Sequence, residues 1–542
     1  MKFKADQTAQ KLRGGYYTPK PLADYLTHWV CATRPENILE PSCGDGVFLQ
    51  SIAEKMTNGS AHITAYELFD TEAQKSRELA RQCGLRNVDI FEGDFLEWAN
   101  VALLEGQSLF DGVVGNPPFI RYQFLEKQFQ LNTEGVFQTL GLKFTKHTNA
   151  WVPFILACVA LLRPGKRLGM VIPSEIVHVL HAQSLRTFLG TECRKVVVID
   201  PQEIWFEGTL QGAVMLMAEK KHSHNEVTQG VSIESVQGLS FLDTDPNILF
   251  ENTIGINGET VVGKWTKALF RPDSLDFYNS ICSHRGVFRF TDIATVDVGI
   301  VTGANKFFLI DDKTVDEHGL HDYVHPMFGR SEHCKGVIYD SVQHQSNQIS
   351  GKPTNFLLLE EELEFYPKNV RDYISAGENE RLHQRYKCRI RKPWYKVPSV
   401  YATSIGMLKR CHDAPRLISN TIGAYTTDTA YRIKTLGNVD PDTLVYCFMN
   451  PLTAISAELN GRYYGGGVLE LVPSEIEKLW IPLPNQLKVE LDLLDKEIRT
   501  MPMEEVLRRN GYRVLSNIGI DEKSVDRLVE IWSWFRNRRQ RK

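Results

Sequence analysis

The chain has 542 residues, several units' worth at the usual size of roughly 150 residues per domain. Hydrophobic residues make up 42% and charged residues 24%, which excludes a disordered, collagen-like or low-complexity protein. Sixty-two basic against 66 acidic residues leave a formal charge of −4, so any attraction to a polyanion must be local.

In chain order, the N-terminal MKFKADQTAQKLRGG has no apolar core, so no secretory signal is expected. Up to about residue 220, short β-rich runs alternate with segments of helical length. Strands are predicted at 37–40, 62–67, 88–91, 112–115, 168–172, 196–199 and 213–217, with helices such as 46–55 and 71–82 between them. Alternating β and α predicts a mostly parallel sheet with helices on both faces and ligands at the carboxyl ends of its strands. The longest apolar run, 150–162, has 13 residues. A bilayer span needs roughly 18, so this run reads as a buried helix and no membrane association is expected.

Residues 221–264 lose the pattern and read as a linker. Residues 265–484 hold short β runs, turns and aromatics, and 485–542 turn helical and charged. Between residues 381 and 416 stand ten Lys or Arg and one acid, Asp413, a local basic patch compatible with a DNA-binding face. The ten cysteines are scattered with no CxxC pair. They suggest neither a zinc site nor a disulfide framework, and point to a reducing cytoplasm. No His/Cys/carboxylate cluster argues for a metal.

Chemistry concentrates just after the predicted strands. Glu40-Pro-Ser-Cys-Gly-Asp-Gly46 turns from a strand into a helix, and Gly44 and Gly46 let backbone approach a ligand closely. Leu49 occupies the third glycine position of the dinucleotide fingerprint, so a smaller nucleoside ligand fits better than NAD. Glu67 ends the second strand, where an acid accepts hydrogen bonds from ribose hydroxyls. Asp94 follows the third, beside Phe95, placed for an adenine amino group. Each acid alone reads equally well as a helix cap; three at successive strand ends do not. Gly115-Asn-Pro-Pro-Phe119 follows the apolar Val113-Val114. Its two prolines fix an extended corner without N–H donors, leaving acceptors for a substrate NH2 group and Phe119 for a planar base.

These motifs, in this order, resemble the DNA adenine-N6 methyltransferases that use S-adenosylmethionine, in the γ arrangement of TaqI-like enzymes. The resemblance covers residues 11–217, starting with Gly15-Tyr-Tyr-Thr-Pro19. It implies an α/β fold with a Rossmann-like seven-stranded methyltransferase sheet over 1–220, and a C-terminal mixed, β-rich target-recognition domain over 265–484. It implies S-adenosylmethionine and no metal, with Tyr17, Thr18, Glu40, Pro41, Ser42, Cys43, Gly44, Gly46, Glu67, Asp94 and Phe95 around the cofactor. Asn116, Pro117, Pro118 and Phe119 become the catalytic segment, and Phe206 the aromatic on the second face of a flipped adenine. Phe119 stands where Tyr is commoner.

Gly299-Ile-Val-Thr-Gly-Ala-Asn305 and Lys392-Pro-Trp-Tyr-Lys-Val-Pro398 are similar to segments of the recognition domains in this group. Arg389, Arg391, Lys392, Trp394 and Lys396 are the expected contacts to double-stranded DNA. The resemblance implies a modification methylase partnered by a separate cognate restriction endonuclease. The alternatives are methylation of an RNA adenine or a protein glutamine, since both offer a planar NH2 group, or a non-catalytic DNA specificity subunit.

Overall fold

The computed structural model describes residues 17–56, 61–202, 212–256, 263–464 and 466–541. They form two compact units, one up to Arg271 and one over Pro272–Gln540.

The first unit is built on an eight-stranded sheet, β1 (Asn37–Glu40), β2 (His62–Glu67), β3 (Val88–Glu92), β4 (Phe110–Gly115), β5 (Leu162–Pro173), β6 (Cys193–Pro201), β7 (Ala213–Lys220) and β8 (Val231–Val236). Their order is β3-β2-β1-β4-β5-β7-β6-β8. Strands β1 to β5 run parallel, and β7 is antiparallel to both its neighbours. The order reverses between β1 and β4, so their carboxyl ends open the crevice where such sheets bind ligands.

Helix α1 (Lys20–Cys31) buries Leu22, Leu26, Trp29 and Val30 against the sheet. It lies so close that a Cβ at Gly112 would stand 2.6 Å from Val30 Cγ1. The other helices of this unit are α2 (Val47–Lys55), α3 (Asp70–Gln82), α4 (Phe95–Leu104), α5 (Lys127–Thr139), α6 (Trp151–Leu161), α7 (Gln183–Glu192) and α8 (Pro246–Asn252). Helix α6, from the 13-residue apolar run, is buried on nearly every side, as the absence of polar positions demands. No helix among the described residues is long and apolar enough to cross a membrane.

The stretch expected as a linker is part of this unit. Val231–Val236 alternates well enough to pair in parallel with β6. Asp245 caps α8 by accepting from Asn247 N at 2.7 Å, and Phe250 packs its ring 4.7 Å from that of Trp29. The compact unit extends to Arg271, a few residues past the expected 264/265 boundary.

The second unit is mixed, with short strands and substantial helices. Its largest sheet has five strands, ordered Ala294–Val298, Ala430–Thr435, Ile405–Leu408, Leu417–Asn420 and Ile338–Tyr339. The C-terminal helices, expected as a separate segment after 484, belong to this unit as well. In Glu522–Gln540, Arg539 is wholly buried against Glu458 at 2.8 Å, and that ion pair holds the guanidinium above its ordinary pKa. An aromatic core joins Phe307, Phe308, Phe356, Tyr373 and Trp394.

Candidate active site

The loop after β1 is held from three sides. Gly44 and Gly46 take φ of +53° and +89°, a left-handed conformation favouring glycine. Cys43 N donates to Tyr66 O at 2.9 Å, and Ser76 Oγ from α3 donates to Gly44 O at 2.7 Å. Glu67 clamps the loop from the end of β2: its Oε2 accepts from Gly44 N at 3.0 Å and its Oε1 from Phe69 N at 3.1 Å. Burial raises the Glu67 carboxyl pKa despite those bonds.

Glu40 is 0% exposed, and neither of its carboxyl oxygens has a hydrogen-bond partner among the described residues. Burial first, then the charges of Asp45 and Glu67, drive its pKa well above the carboxylate range. The neighbouring Cys43 thiol is pushed up by burial and by Glu40, which keeps it protonated and unreactive.

Asp94 is the N-cap of α4. Its Oδ1 accepts from Leu96 N at 2.9 Å and its Oδ2 from Asn132 Nδ2 at 2.6 Å, while burial raises its pKa. The capping reading of this acid is thus realised in the structure, and Asn132, 38 residues away, is a partner that no local spacing announces. Phe95, expected at the cofactor, is a core residue here: it is 1% exposed and packs on Tyr66, Trp98 and Phe154.

Strand β4 is buried throughout and delivers Asn116 to the same crevice. A Cβ at Gly115 would lie 3.2 Å from Pro41 Cδ, so glycine lets the two loops touch. Asn116 O accepts from Ser42 Oγ at 3.0 Å, and Asn116 Nδ2 donates to Thr18 Oγ1 at 3.1 Å. The bond to Thr18 turns the amide oxygen away from it. Pro117 is buried, and Pro118 and Phe119 are half-buried. Thr18, expected at the cofactor, therefore orients the Asn116 amide. Tyr17 is 40% exposed and donates its hydroxyl to Glu72 at 2.9 Å.

Beside this segment, Gly115 pairs with Met170 of β5, which leads into the turn Ser174–Val177. Burial raises the Glu175 carboxyl pKa in that turn, opposed by the charge of Arg121. Arg186 fixes the turn by donating to Ile176 O at 2.8 Å and Val179 O at 2.9 Å; burial lowers its pKa to about 9. Sequence reading missed both residues, because neither lies in a motif. Phe206 lies outside the described residues.

In the second unit the expected DNA contacts separate into two kinds. Arg389, Lys392 and Lys396 are exposed. Trp394 is not on the surface: its ring lies 4.9 Å from that of Phe307 and its Nε1–H donates to Glu378 at 3.0 Å. The run of basic residues around it hid a core aromatic. Arg391 is a strut, its guanidinium donating to Val301 O at 2.6 Å and Thr302 O at 2.7 Å.

Two segments of the chain match known families. Residues 2–254 match the N-6 DNA Methylase family, and residues 262–515 match the family of the type II methyltransferase M.Eco57I, C-terminal domain. Type II methyltransferase M.XamI of Xanthomonas campestris pv. amaranthicola is 23% identical over 86% of this chain and 85% of its own. Type II methyltransferase M.BanIII of Aneurinibacillus aneurinilyticus is 25% identical over 55% of this chain; that match spans 58% of M.BanIII, little more than half its length. Among solved structures, a nuclease-deletion mutant of the Type ISP restriction-modification enzyme LlaGI, in complex with a DNA substrate mimic, superposes with a TM-score of 0.50 at 12% identity, over 90% of this chain and 46% of that one. The chain thus joins an N-terminal segment that matches the N-6 DNA Methylase family to a C-terminal segment that matches the M.Eco57I C-terminal domain, and the relatives it resembles are type II methyltransferases.

Proposed function

We propose that the protein transfers the methyl group of S-adenosylmethionine to N6 of an adenine flipped out of double-stranded DNA, as a γ-type methylase. The observation that carries this reading is the locking of Asn116 to both neighbouring segments, through Thr18 Oγ1 and Ser42 Oγ. In this reading Asn116 Oδ1 and the Pro117 carbonyl are the two acceptors. An exocyclic amino group donates one hydrogen to each. Drawing on both hydrogens localises the nitrogen lone pair, which conjugation with the ring otherwise withholds, and positioning with preorganised dipoles supplies the rate. Phe119, half-buried, gives the base a face to stack on. The adenine has to leave the helix to reach this corner, because the walls of a crevice at strand ends do not admit a paired base.

The residues present fit the cofactor. Glu40 is a buried carboxyl without a hydrogen-bond partner among the described residues, beside a loop of left-handed glycines, which suits a ligand bearing cationic ammonium and sulfonium groups. Glu67 and Asp94 use one direction of each oxygen on the protein, and a carboxylate has about four such directions, so both can take the cofactor's ribose and adenine without releasing the loop. When bound, S-adenosylmethionine supplies an electrophilic methyl group.

In the cell this activity marks DNA against a separate cognate restriction endonuclease in the bacterial cytoplasm. The test is methyl transfer from labelled S-adenosylmethionine to plasmid DNA, run beside total RNA and a protein extract, with mass spectrometry of the modified nucleosides. N6-methyladenine in DNA is the expected product. Label confined to RNA or protein would refute the duplex substrate, and no label anywhere would refute the transfer.

A further inference from the structure

The short helix Tyr386–Arg389 in the second unit presents two large apolar side chains to solvent. Tyr386 is 64% exposed and Ile390, just past its end, 63%. Four residues apart on one turn, their Cβ atoms lie about 5–6 Å from each other. Single exposed apolar residues are ordinary on protein surfaces. This pair is not single, and its surroundings are unusual. Arg385, Lys387, Arg389 and Lys392 around it are all exposed, and no acid occurs between residues 381 and 396. The charged ends of Lys387 and Arg389 each stand 5.5 Å from the Tyr386 ring centre.

The base of this helix is rigid. Cys388, on its inner face, is wholly buried. Arg391 ties the chain to the carbonyls of Val301 and Thr302. Gly303, in the same turn, has φ +79°, and a Cβ there would lie 2.7 Å from Lys387 Cβ and 3.2 Å from Cys388 Sγ. The Thr302-Gly303-Ala304-Asn305 turn can receive the helix only because position 303 has no side chain.

We propose that Tyr386 and Ile390 form an apolar wedge that enters between base pairs of duplex DNA. Arg385, Lys387, Arg389 and Lys392 take the phosphates on either side, and the turn around Gly303 is the wedge's mount. Partial unstacking by an apolar side chain kinks a duplex and lets it follow more of the protein surface. The cations recruit the backbone without reading sequence. The proposal rests on the reading of this protein as a DNA methylase.

The test uses the full chain. The methylated site is first mapped by sequencing plasmid DNA modified by the wild-type protein. Duplexes carrying that site, with the fluorescent base 2-aminopurine placed in turn at each position, then report unstacking. The wild-type protein should give one rise at the target adenine and a second at a step away from it. Tyr386→Ala with Ile390→Ala should abolish the second rise, keep the first, and weaken duplex binding about tenfold. Both changes are at exposed positions, so the fold, followed by circular dichroism, stays unchanged. Gly303→Ala should reduce the second rise with the wedge side chains intact; an unaltered rise would refute the mount. The wedge is refuted if the wild-type protein gives only one rise or if the double variant retains two. A protein that does not methylate DNA at all fails the underlying reading, a separate and earlier result.

Discussion

Replacing Glu40 with Gln tests the site through its electrostatics. The carboxyl is fully buried, neither oxygen is bonded among the described residues, and burial, Asp45 and Glu67 all raise its pKa. In the unfolded chain such a group titrates at about 4.3; in the folded protein it holds its proton to higher pH. Between the two values the native state carries one proton more than the unfolded state. The contribution of Glu40 is therefore complete below the unfolded pKa and is lost as pH rises through the window up to the folded one. Within that window a single group costs about 1.4 kcal/mol of stability per pH unit. Glu67 and Asp94, also raised by burial, act in the same direction. Glu40→Gln removes one of these contributions, so its unfolding free energy should fall less steeply with pH than that of the wild type. A cationic ligand beside Glu40 favours the ionised form. S-adenosylmethionine should accordingly stabilise the wild type more than the variant, with a gap that widens at higher pH, and its binding to the wild type should release a proton. Urea unfolding over a pH series, with and without cofactor, measures the slopes, and calorimetry in buffers of different ionisation heat counts the proton. Parallel pH curves for the two proteins would refute the buried-acid argument. Equal cofactor affinities would refute the placement of the cofactor's positive charge at Glu40.

Asn116→Ala should lower methyl transfer by at least about a hundredfold, the usual consequence of losing one preorganised polar group, while S-adenosylmethionine binding, read by calorimetry, stays within error. Thr18→Val removes the acceptor for Asn116 Nδ2 and should cost about tenfold in turnover with unchanged cofactor affinity; an equal loss in cofactor affinity would put Thr18 back at the cofactor. Neutralising Arg389, Lys392 and Lys396 together should flatten the dependence of DNA binding on salt by about 0.9 in log–log slope for each phosphate no longer neutralised, and an unchanged slope would remove them from the interface. Trp394→Ala should cost about 3–5 kcal/mol of folding stability without altering that slope, since the ring is buried among Phe307, Phe308 and Tyr395.

The parts of the fold legible in the sequence are those set by local periodicity. All seven predicted strands of the first unit formed, because each is a short β-rich run, apolar or alternating. What was not legible depended on partners far along the chain. Val231–Val236 alternates only briefly among polar residues, and its place in the sheet depends on the edge that β6 offers. Trp394 sits amid basic residues, and nothing local says that its side chain turns inward while its neighbours turn out. Arg391 differs from Arg389 only in having carbonyls within reach. At the candidate site, residue types and spacing single out Glu40, Glu67, Asp94 and Asn116, but not the bonds that position Glu67, Asp94 and Asn116. Ser76, Asn132 and Thr18 lie 32, 38 and 98 residues from the groups they hold.

Those bonds bear on how function and fold share the same acids. A carboxyl at a strand end reads either as a cap or as a ligand group, and in this chain the two descriptions are not exclusive. Glu67 accepts from Gly44 N and Phe69 N, so the group proposed to meet the ribose also fixes the loop beside it. Asp94 caps α4 and takes Asn132, so its orientation is set before any ligand arrives. Capping bonds of this kind remove the entropy that a free side chain would lose on binding, while leaving lone pairs for the ligand. Glu40 is the exception: it holds nothing, is bonded to nothing among the described residues, and is buried at a cost in stability. A chain under selection for stability alone would replace it with an apolar residue. Its cost is therefore the strongest reason to look for a cationic ligand at that position, and the capping bonds of the other two acids carry no comparable demand.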